Sequence, residues 1–474
     1  MKWVVVVGNG MAGARVVDEL LRRDDSLRIT VFGAEAQPAY NRILLSDVLA
    51  GRRASGNIAL VERPGPVRHL GVAVTAVDRA ARTVTAADGT AVAYDALVSA
   101  TGSTAVVPPV HGIAGPAGTL LEGVFVFRTL TDCAEIAQAA GRATRAVVVG
   151  GGLLGLEAAR GLPQHGLSVE VVHGAGHLMD TQLDGPGGAV LRRAVEALGV
   201  GVHLGSFASR VTGIRGFNGT ERVTGVGLAD GRHVDGDLVL LACGVRPQVE
   251  LARSIGLVVG RGILVDDLLA TDDPAVFAIG ECAQHRGEVY GFVAPAWEQA
   301  AVLADVLTGR STRYLGSRLI IRLKALGLEV AAMGDTGPGL DDVGDGLEVL
   351  VWADPTRHVY KKLVVRDGLL IGALLLGDLS TVGAVTQAFD RASPLPADRT
   401  PLLVASRRAP APADLEDDDL VCTCNAVTAG ALRDSGCRTV AEAALATRAT
   451  TGCGTCAPTV AGLLRRPAFE KESA

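Results

Sequence analysis

Two glycine-rich hexapeptides constrain this chain more than any other feature: Gly8-Asn9-Gly10-Met11-Ala12-Gly13 and Gly150-Gly151-Gly152-Leu153-Leu154-Gly155. Each follows a short apolar run, Trp3 to Val7 and Ala146 to Val149. Each leads into a helical stretch, Ala14 to Arg22 and Leu156 to Leu162. A strand, a G-x-G-x-x-G turn and a helix, in that order, begin a dinucleotide seat. Gly8 permits the tight turn, Gly10 lets the backbone approach a pyrophosphate, and Gly13 lets helix and strand pack closely. Gly150, Gly152 and Gly155 take the same parts in the second turn. Met11, Ala12, Leu153 and Leu154 lie in the turns that lead into the helices, whose N-terminal N–H groups and partial positive charge favour phosphates. After the first turn, the strand Ile29 to Phe32 is followed by Glu35, placed to accept from a ribose hydroxyl. After the second, the strand Ser168 to Val172 ends at His173, and the expected acid is missing. An acid there selects the ribose of NADH, and an arginine the 2′-phosphate of NADPH. Histidine decides neither. A polar residue merely exposed at a strand end is the competing reading.

The tail adds a redox element. Cys422, Cys424, Cys453 and Cys456 form a C-x-C … C-x-x-C pattern, half of the chain's 8 cysteines. Four thiolates hold a 2Fe–2S cluster, one pair for each iron. A structural zinc site also takes four thiolates and is the alternative, although C-x-C is tight for zinc. Cys437 lies between the two pairs, and Cys133, Cys243 and Cys282 read as small buried or incidental residues.

Two further strands end at small-residue turns. Ala96 to Ala100 leads into Thr101-Gly102-Ser103, and Phe277-Ala278-Ile279 leads into Gly280-Glu281. With these in place the chain resembles the two-dinucleotide-binding-domain flavoprotein disulfide reductase superfamily. Pro38-Ala39-Tyr40-Asn41-Arg42 with Leu45-Ser46 is similar to its ferredoxin and rubredoxin reductase branch. Closer still are the flavoprotein portions of assimilatory nitrite and nitrate reductases. The matching stretches are Val171-Val172-His173 with Leu178 to Asp184, Leu315-Gly316-Ser317 with Leu323-Lys324, and Tyr360-Lys361-Lys362-Leu363. The tail resembles the 2Fe–2S domain of bacterioferritin-associated ferredoxin. The resemblance implies FAD on the first turn and NAD(P)H on the second. It implies FAD or nicotinamide contacts for Arg42, Ser46, Thr101, Gly102, Arg128, Gly244, Gly280, Glu281 and Glu298. It also places Trp297 beside the flavin and Glu157 near the nicotinamide. A helix-start acid is the plainer reading of Glu157.

Two departures stand out. Residues 36–60 contain no cysteine, so the dithiol relay of disulfide reductases is absent. Asp47 stands where many ferredoxin reductases have a lysine, leaving Arg42 as the main cation nearby.

The fold class expected is α/β. Residues 1–123 and 248–327 form an FAD-binding domain of Rossmann type, with an NAD(P)H-binding domain inserted at 124–247. An α+β interface domain covers 328–403, with Asp367-Gly368 as a hairpin turn. Residues 404–419 form a linker, and a small helical 2Fe–2S domain spans 420–466. A helix from Ala300 to Leu307 is expected to aim its N-terminus at the flavin. A chain of 474 residues suits this count, and 60 glycines suit many tight turns.

The function expected is electron transfer from NADH (or NADPH) through FAD and the cluster to a partner. That partner is a separate nitrate or nitrite reductase catalytic subunit or another redox acceptor. With no further cysteine cluster beyond Cys456, nitrite reduction on this chain itself is not expected. The alternatives are an NADH:ferredoxin or rubredoxin reductase serving an oxygenase and, outside enzymes, an iron–sulfur docking or sensing protein. A net charge of −6 argues against nucleic acid and anionic membranes as partners. No signal peptide and no apolar run long enough to span a bilayer are evident, and reduced cysteines suit the cytoplasm.

Overall fold

A computed structural model describes residues 2–115, 118–215, 221–323, 329–342, 344–404, 415–422, 425–451 and 456–465. Two compact units are present. The first comprises Met1–Leu319, Leu323–Glu329 and Asp354–Tyr360, and the second the remainder.

The first unit contains two parallel five-stranded sheets built on the two glycine turns. In one, Trp3–Val7 lies between Arg28–Gly33 and Ala96–Ser99, with Val67–Leu70 and Val276–Ala278 at the edges. In the other, Arg145–Val149 lies between Ser168–His173 and Leu238–Leu241, with Gly201–Leu204 and Val124–Val126 at the edges. Strands covered on both faces read as continuous apolar runs, and Val4, Val5, Val6, Val147 and Val148 are all fully buried. In both sheets the strand order reverses beside the strand that feeds the glycine turn. The crevice outside the carboxyl ends of the strands at such a point is where α/β sheets bind ligands.

The chain passes between the two sheets along paired short strands. Ser103–Ala105 runs antiparallel to Val245–Pro247. Beside them, the Thr101 hydroxyl donates to the Gln248 carbonyl at 2.9 Å, and Gln248 N–H donates to Gly102 O at 2.9 Å.

In the second unit, Leu369–Leu376 pairs with Val330–Gly334 inside a five-stranded sheet. Asp367 and Gly368 both have positive φ, 51° and 76°, as the expected hairpin turn requires. Farther along, three helices, Ala429–Asp434, Val440–Thr447 and Ala457–Leu464, surround a small core of Leu432, Ala443, Val460 and Leu463. Residues 405–414, most of the expected linker, lie outside the described residues.

Three expected helices start elsewhere, and those anticipated from Ala14 and Leu156 begin within the glycine turns, at Met11 and Leu153. The helix anticipated from Ala300 begins at Val293 and runs to Leu307. Pro295 reads as a breaker, yet proline is tolerated in a first turn, where its missing N–H would have no partner anyway. Trp297, Glu298 and Gln299 therefore stand on the helix rather than before it. Ala300 is in its interior, with no free N-terminus to offer.

Candidate functional site

The glycine turns owe their shape to close backbone contact. Gly8 has φ +113° and Gly150 φ +119°. A Cβ on Gly8 would stand 2.1 Å from the Ala100 carbonyl oxygen, and one on Gly150 2.2 Å from that of Ala242. On Gly13 and Gly155 it would stand 1.9 Å from the carbonyl oxygens of Gly8 and Gly150. At Gly10 and Gly152 a Cβ would meet nothing within 4 Å. Those two positions face open space and then cap the helices Met11–Arg23 and Leu153–Gly161 without any side-chain hydrogen bond. A helix end without a side-chain cap, at the mouth of a crevice, presents free N–H donors to an anion. In the first turn the buried Asn9 Oδ1 also has no hydrogen-bond partner among the described residues. Both cradles fit a pyrophosphate.

Around the first turn, several of the expected contact residues are hydrogen-bonded to one another. Glu35 accepts from the Tyr40 hydroxyl at 2.6 Å and forms an ion pair with Arg42. Arg42 also donates to the Arg128 carbonyl at 3.0 Å, and Leu130 N–H donates to Tyr40 OH at 3.0 Å. Burial raises the Tyr40 phenol well above its usual range, so it remains a donor. Arg128 donates to the Ser103 hydroxyl at 2.8 Å and pairs with Glu281, which also accepts from Ser103 at 2.6 Å. Gly280 N–H donates to the buried Gln299 Oε1 at 2.7 Å. Ser46 is buried on the short helix Leu45–Leu49, while Asp47 pairs with Arg52 at 2.8 Å. The acid at 47 is thus neutralised by a neighbour, and Arg42 keeps to Glu35.

Trp297 is 6% exposed. Its indole N–H donates to the Met11 carbonyl at 3.3 Å, and Arg15 stacks over the ring at 5.2 Å. It clamps the start of the first helix. Glu298 is exposed and accepts from the Ser317 hydroxyl.

The second turn is organised around His173. Gly151 N–H donates to His173 Nδ1 at 3.2 Å, and His173 Nε2 lies 3.0 Å from Asp180 Oδ1. Leu178 and Met179 are fully buried, and Met179 N–H donates to Gly151 O at 3.0 Å. Glu157 is 7% exposed on the helix behind the turn. Gly244, φ +92°, makes the turn from Leu238–Leu241 into the crossing strands.

At the tail, Cys422 and Cys456 are both buried and come together. A hydrogen bond with Cys456 brings the Cys422 thiol down to about 6, against the opposing effect of burial. Asn425 Nδ2 points to Cys422 Sγ at 3.8 Å and to the Arg448 carbonyl at 2.7 Å. Two convergent buried sulfurs, one favouring thiolate, fit half of a cluster's ligand set. Cys424 and Cys453 lie outside the described residues. Cys437 Sγ donates instead to the Ser435 carbonyl at 3.7 Å.

Sequence reasoning had not singled out Asp180, Ser103 or Asn425 as site residues. Ser103 opens the crossing strand Ser103–Ala105, and Asp180 follows the buried pair Leu178 and Met179.

Tandem dinucleotide seats followed by a thiol-bearing tail define a pyridine-nucleotide-dependent flavin oxidoreductase with an iron–sulfur domain. The chain belongs to the pyridine nucleotide-disulphide oxidoreductase family, which it matches over residues 2–300. Residues 320–392 match the rubredoxin NAD+ reductase C-terminal domain, and 420–466 the BFD-like 2Fe–2S binding domain. It is 36% identical to a nitrite reductase [NAD(P)H] of Bacillus subtilis, over 98% of this chain and 57% of that protein. To the assimilatory nitrate reductase electron transfer subunit of the same organism it is 33% identical, over 98% and 59%. The chain thus spans under two thirds of the length of these relatives. Among solved structures it resembles a ferredoxin reductase from Rhodopseudomonas palustris, with TM-score 0.73 and 26% identity, covering 83% of this chain and 96% of that one. The chain is an FAD-dependent NAD(P)H oxidoreductase whose tail is a 2Fe–2S domain. Among the described residues no helix is long and apolar enough to cross a membrane.

Proposed function

We propose that this chain oxidises NADH and passes electrons singly to a separate catalytic protein, a nitrate or nitrite reductase subunit in the cytoplasm. The observation that carries the reading is the union, in one chain, of two glycine turns of matching geometry with the buried pair Cys422 and Cys456. Bound FAD and a 2Fe–2S cluster supply the conversion of a hydride donor into single electrons.

The chain's own contribution is positional. Uncapped N–H groups at Met11, Ala12, Leu153 and Leu154 hold the two pyrophosphates. Glu35, oriented by Tyr40 and Arg42, would accept from the adenosine ribose of FAD. Ser103, Arg128 and Glu281 form a linked set at the crevice, with Thr101 and Gly102 behind them. Gln299 holds Gly280 against Ala12. Trp297 acts as a positioning residue, fixing the helix that carries the first turn. Glu157 serves the nicotinamide end, and Cys422, Cys424, Cys453 and Cys456 are the cluster ligands. The nitrite reductase and the nitrate reductase electron transfer subunit, which match nearly all of this chain, support the acceptor class.

The test uses the anaerobically purified chain. It should hold FAD and about two irons, bleach with NADH and reduce ferricyanide. Nitrate or nitrite consumption should appear only when the matching molybdenum or sirohaem subunit is added. Electron delivery to a ferredoxin-dependent oxygenase, with neither subunit responding, would replace this acceptor with an oxygenase system.

A further inference from the structure

The adenosine end of the second seat lacks the usual acid at its strand end, and the structure supplies one from elsewhere. His173 accepts the Gly151 N–H through Nδ1 at 3.2 Å. In the neutral ring the proton then sits on Nε2, which donates to Asp180 Oδ1 at 3.0 Å. Asp180 is 39% exposed at its side chain, so the carboxylate is available to solvent while held at one oxygen.

The loop that delivers Asp180 is fixed on both sides of one peptide. Gly151 gives its N–H to His173 and its carbonyl to Met179 N–H at 3.0 Å. Leu178 and Met179, just before the acid, are fully buried. Met179 also holds φ +51°, a conformation that non-glycine residues adopt only under tertiary constraint. A Cβ on Gly151 would stand 2.6 Å from Leu178 Cδ2 and 2.9 Å from the His173 ring. The histidine and the loop are therefore seated directly on the glycine turn.

A second observation marks the same end. Phe207, on the loop after the strand Gly201–Leu204, is 70% exposed. Its ring lies over Gly174, where a Cβ would stand 2.1 Å from Cε1. The ring is thus braced against Gly174, next in the chain to His173, and most of it is open to solvent. The carboxyl ends of these adjacent strands are where a sheet of this order takes the adenosine part of a dinucleotide.

We infer that Asp180, presented by His173, selects NADH over NADPH, and that Phe207 is the platform for the adenine. This rests on the proposed reading of the Gly150–Gly155 turn as the NADH seat. The free carboxylate oxygen accepts from a ribose 2′-hydroxyl. A 2′-phosphate in the same place meets a fixed negative charge. Discrimination arises from repulsion of the wrong ligand as much as from contact with the right one.

The experiment measures kcat/KM for NADH and NADPH with ferricyanide, using the full chain with FAD bound. Failure of the wild type to reduce its flavin with either coenzyme would sink the proposed function before any variant is made. Asp180→Asn keeps an oxygen for His173 but removes the charge. It should raise NADPH kcat/KM by about tenfold relative to NADH, the size of a partly screened charge contact. It should also tighten inhibition by 2′,5′-ADP while leaving 5′-ADP unchanged, and Asp180→Glu should preserve the wild-type ratio. Phe207→Ala should weaken both coenzymes about equally, with their ratio unmoved. An unchanged NADPH:NADH ratio in Asp180→Asn, or an equal fall with both coenzymes, overturns the selective role. Melting temperature and flavin content confirm that each variant is folded.

Discussion

Gly151 donates its backbone N–H to Nδ1 of His173 at 3.2 Å. One donor of the second glycine turn is therefore committed to a side chain, which in the neutral ring leaves the proton on Nε2 toward Asp180. The helix-start N–H groups at Leu153 and Leu154 stay without a side-chain cap. Three consequences of the site's construction, and one of an ion pair outside it, can be measured.

Gly155 and Gly152 should respond differently to alanine. At Gly155 the added methyl meets Gly150 O at 1.9 Å, and backbone cannot give way cheaply. Gly155→Ala should cost about 1–3 kcal/mol in stability and abolish flavin bleaching by NADH. At Gly152 the methyl meets nothing in the free protein. Gly152→Ala should melt like wild type, with KM for NADH raised by about tenfold or more. Calorimetry and stopped-flow absorbance separate the two; equal melting losses would contradict the geometry.

Cys422→Ser should remove the tail's iron without disturbing the first unit. Iron content should fall from about two per chain to near zero. Ferricyanide reduction by NADH should stay within about twofold of wild type, because flavin alone supplies that dye. Delivery to the physiological acceptor should vanish. Full turnover with the partner would take the cluster off the path.

Trp297→Phe tests the positioning role. The aromatic body remains while the hydrogen bond to Met11 O is lost. Stability should fall by about 1 kcal/mol. FAD should bind several-fold more weakly, and KM for NADH should not move. A change confined to NADH would place Trp297 elsewhere in the chemistry.

Asp267 confers an acid sensitivity. Hydrogen bonds from Arg286 and His285 hold its carboxyl at about 2, below the ordinary 3.8. Because the folded value is the lower one, the stabilisation is present above about pH 4 and lost as pH falls toward about 2. Asp267→Asn should therefore melt lower than wild type at pH 6, and the gap should narrow steadily between pH 4 and pH 2.5. A constant gap across that range would rule out the ionic contribution.

The parts of the site legible in sequence are those fixed by local sterics. Gly8, Gly13, Gly150 and Gly155 could be read because no other residue fits beneath a carbonyl oxygen. The hairpin at Asp367-Gly368 could be read because its φ values demand those residue types. The start of the helix at Val293 could not, since Pro295 argues equally for a break and for a first turn. Asp180 was hidden for another reason. No periodicity links it to His173; burial of Leu178 and Met179 brings the two together. Asn425 reaches Cys422 with the Arg448 carbonyl holding the amide in place.

The paired crossing of Ser103–Ala105 and Val245–Pro247 has a consequence for the ancestry and engineering of such chains. The chain enters and leaves its nicotinamide half side by side, about 5 Å apart. A segment whose two ends are neighbours can be cut out and replaced without rethreading the host. That half behaves as a cassette. An exchange made at this doorway should leave the sheet of the Gly8–Gly13 turn in register.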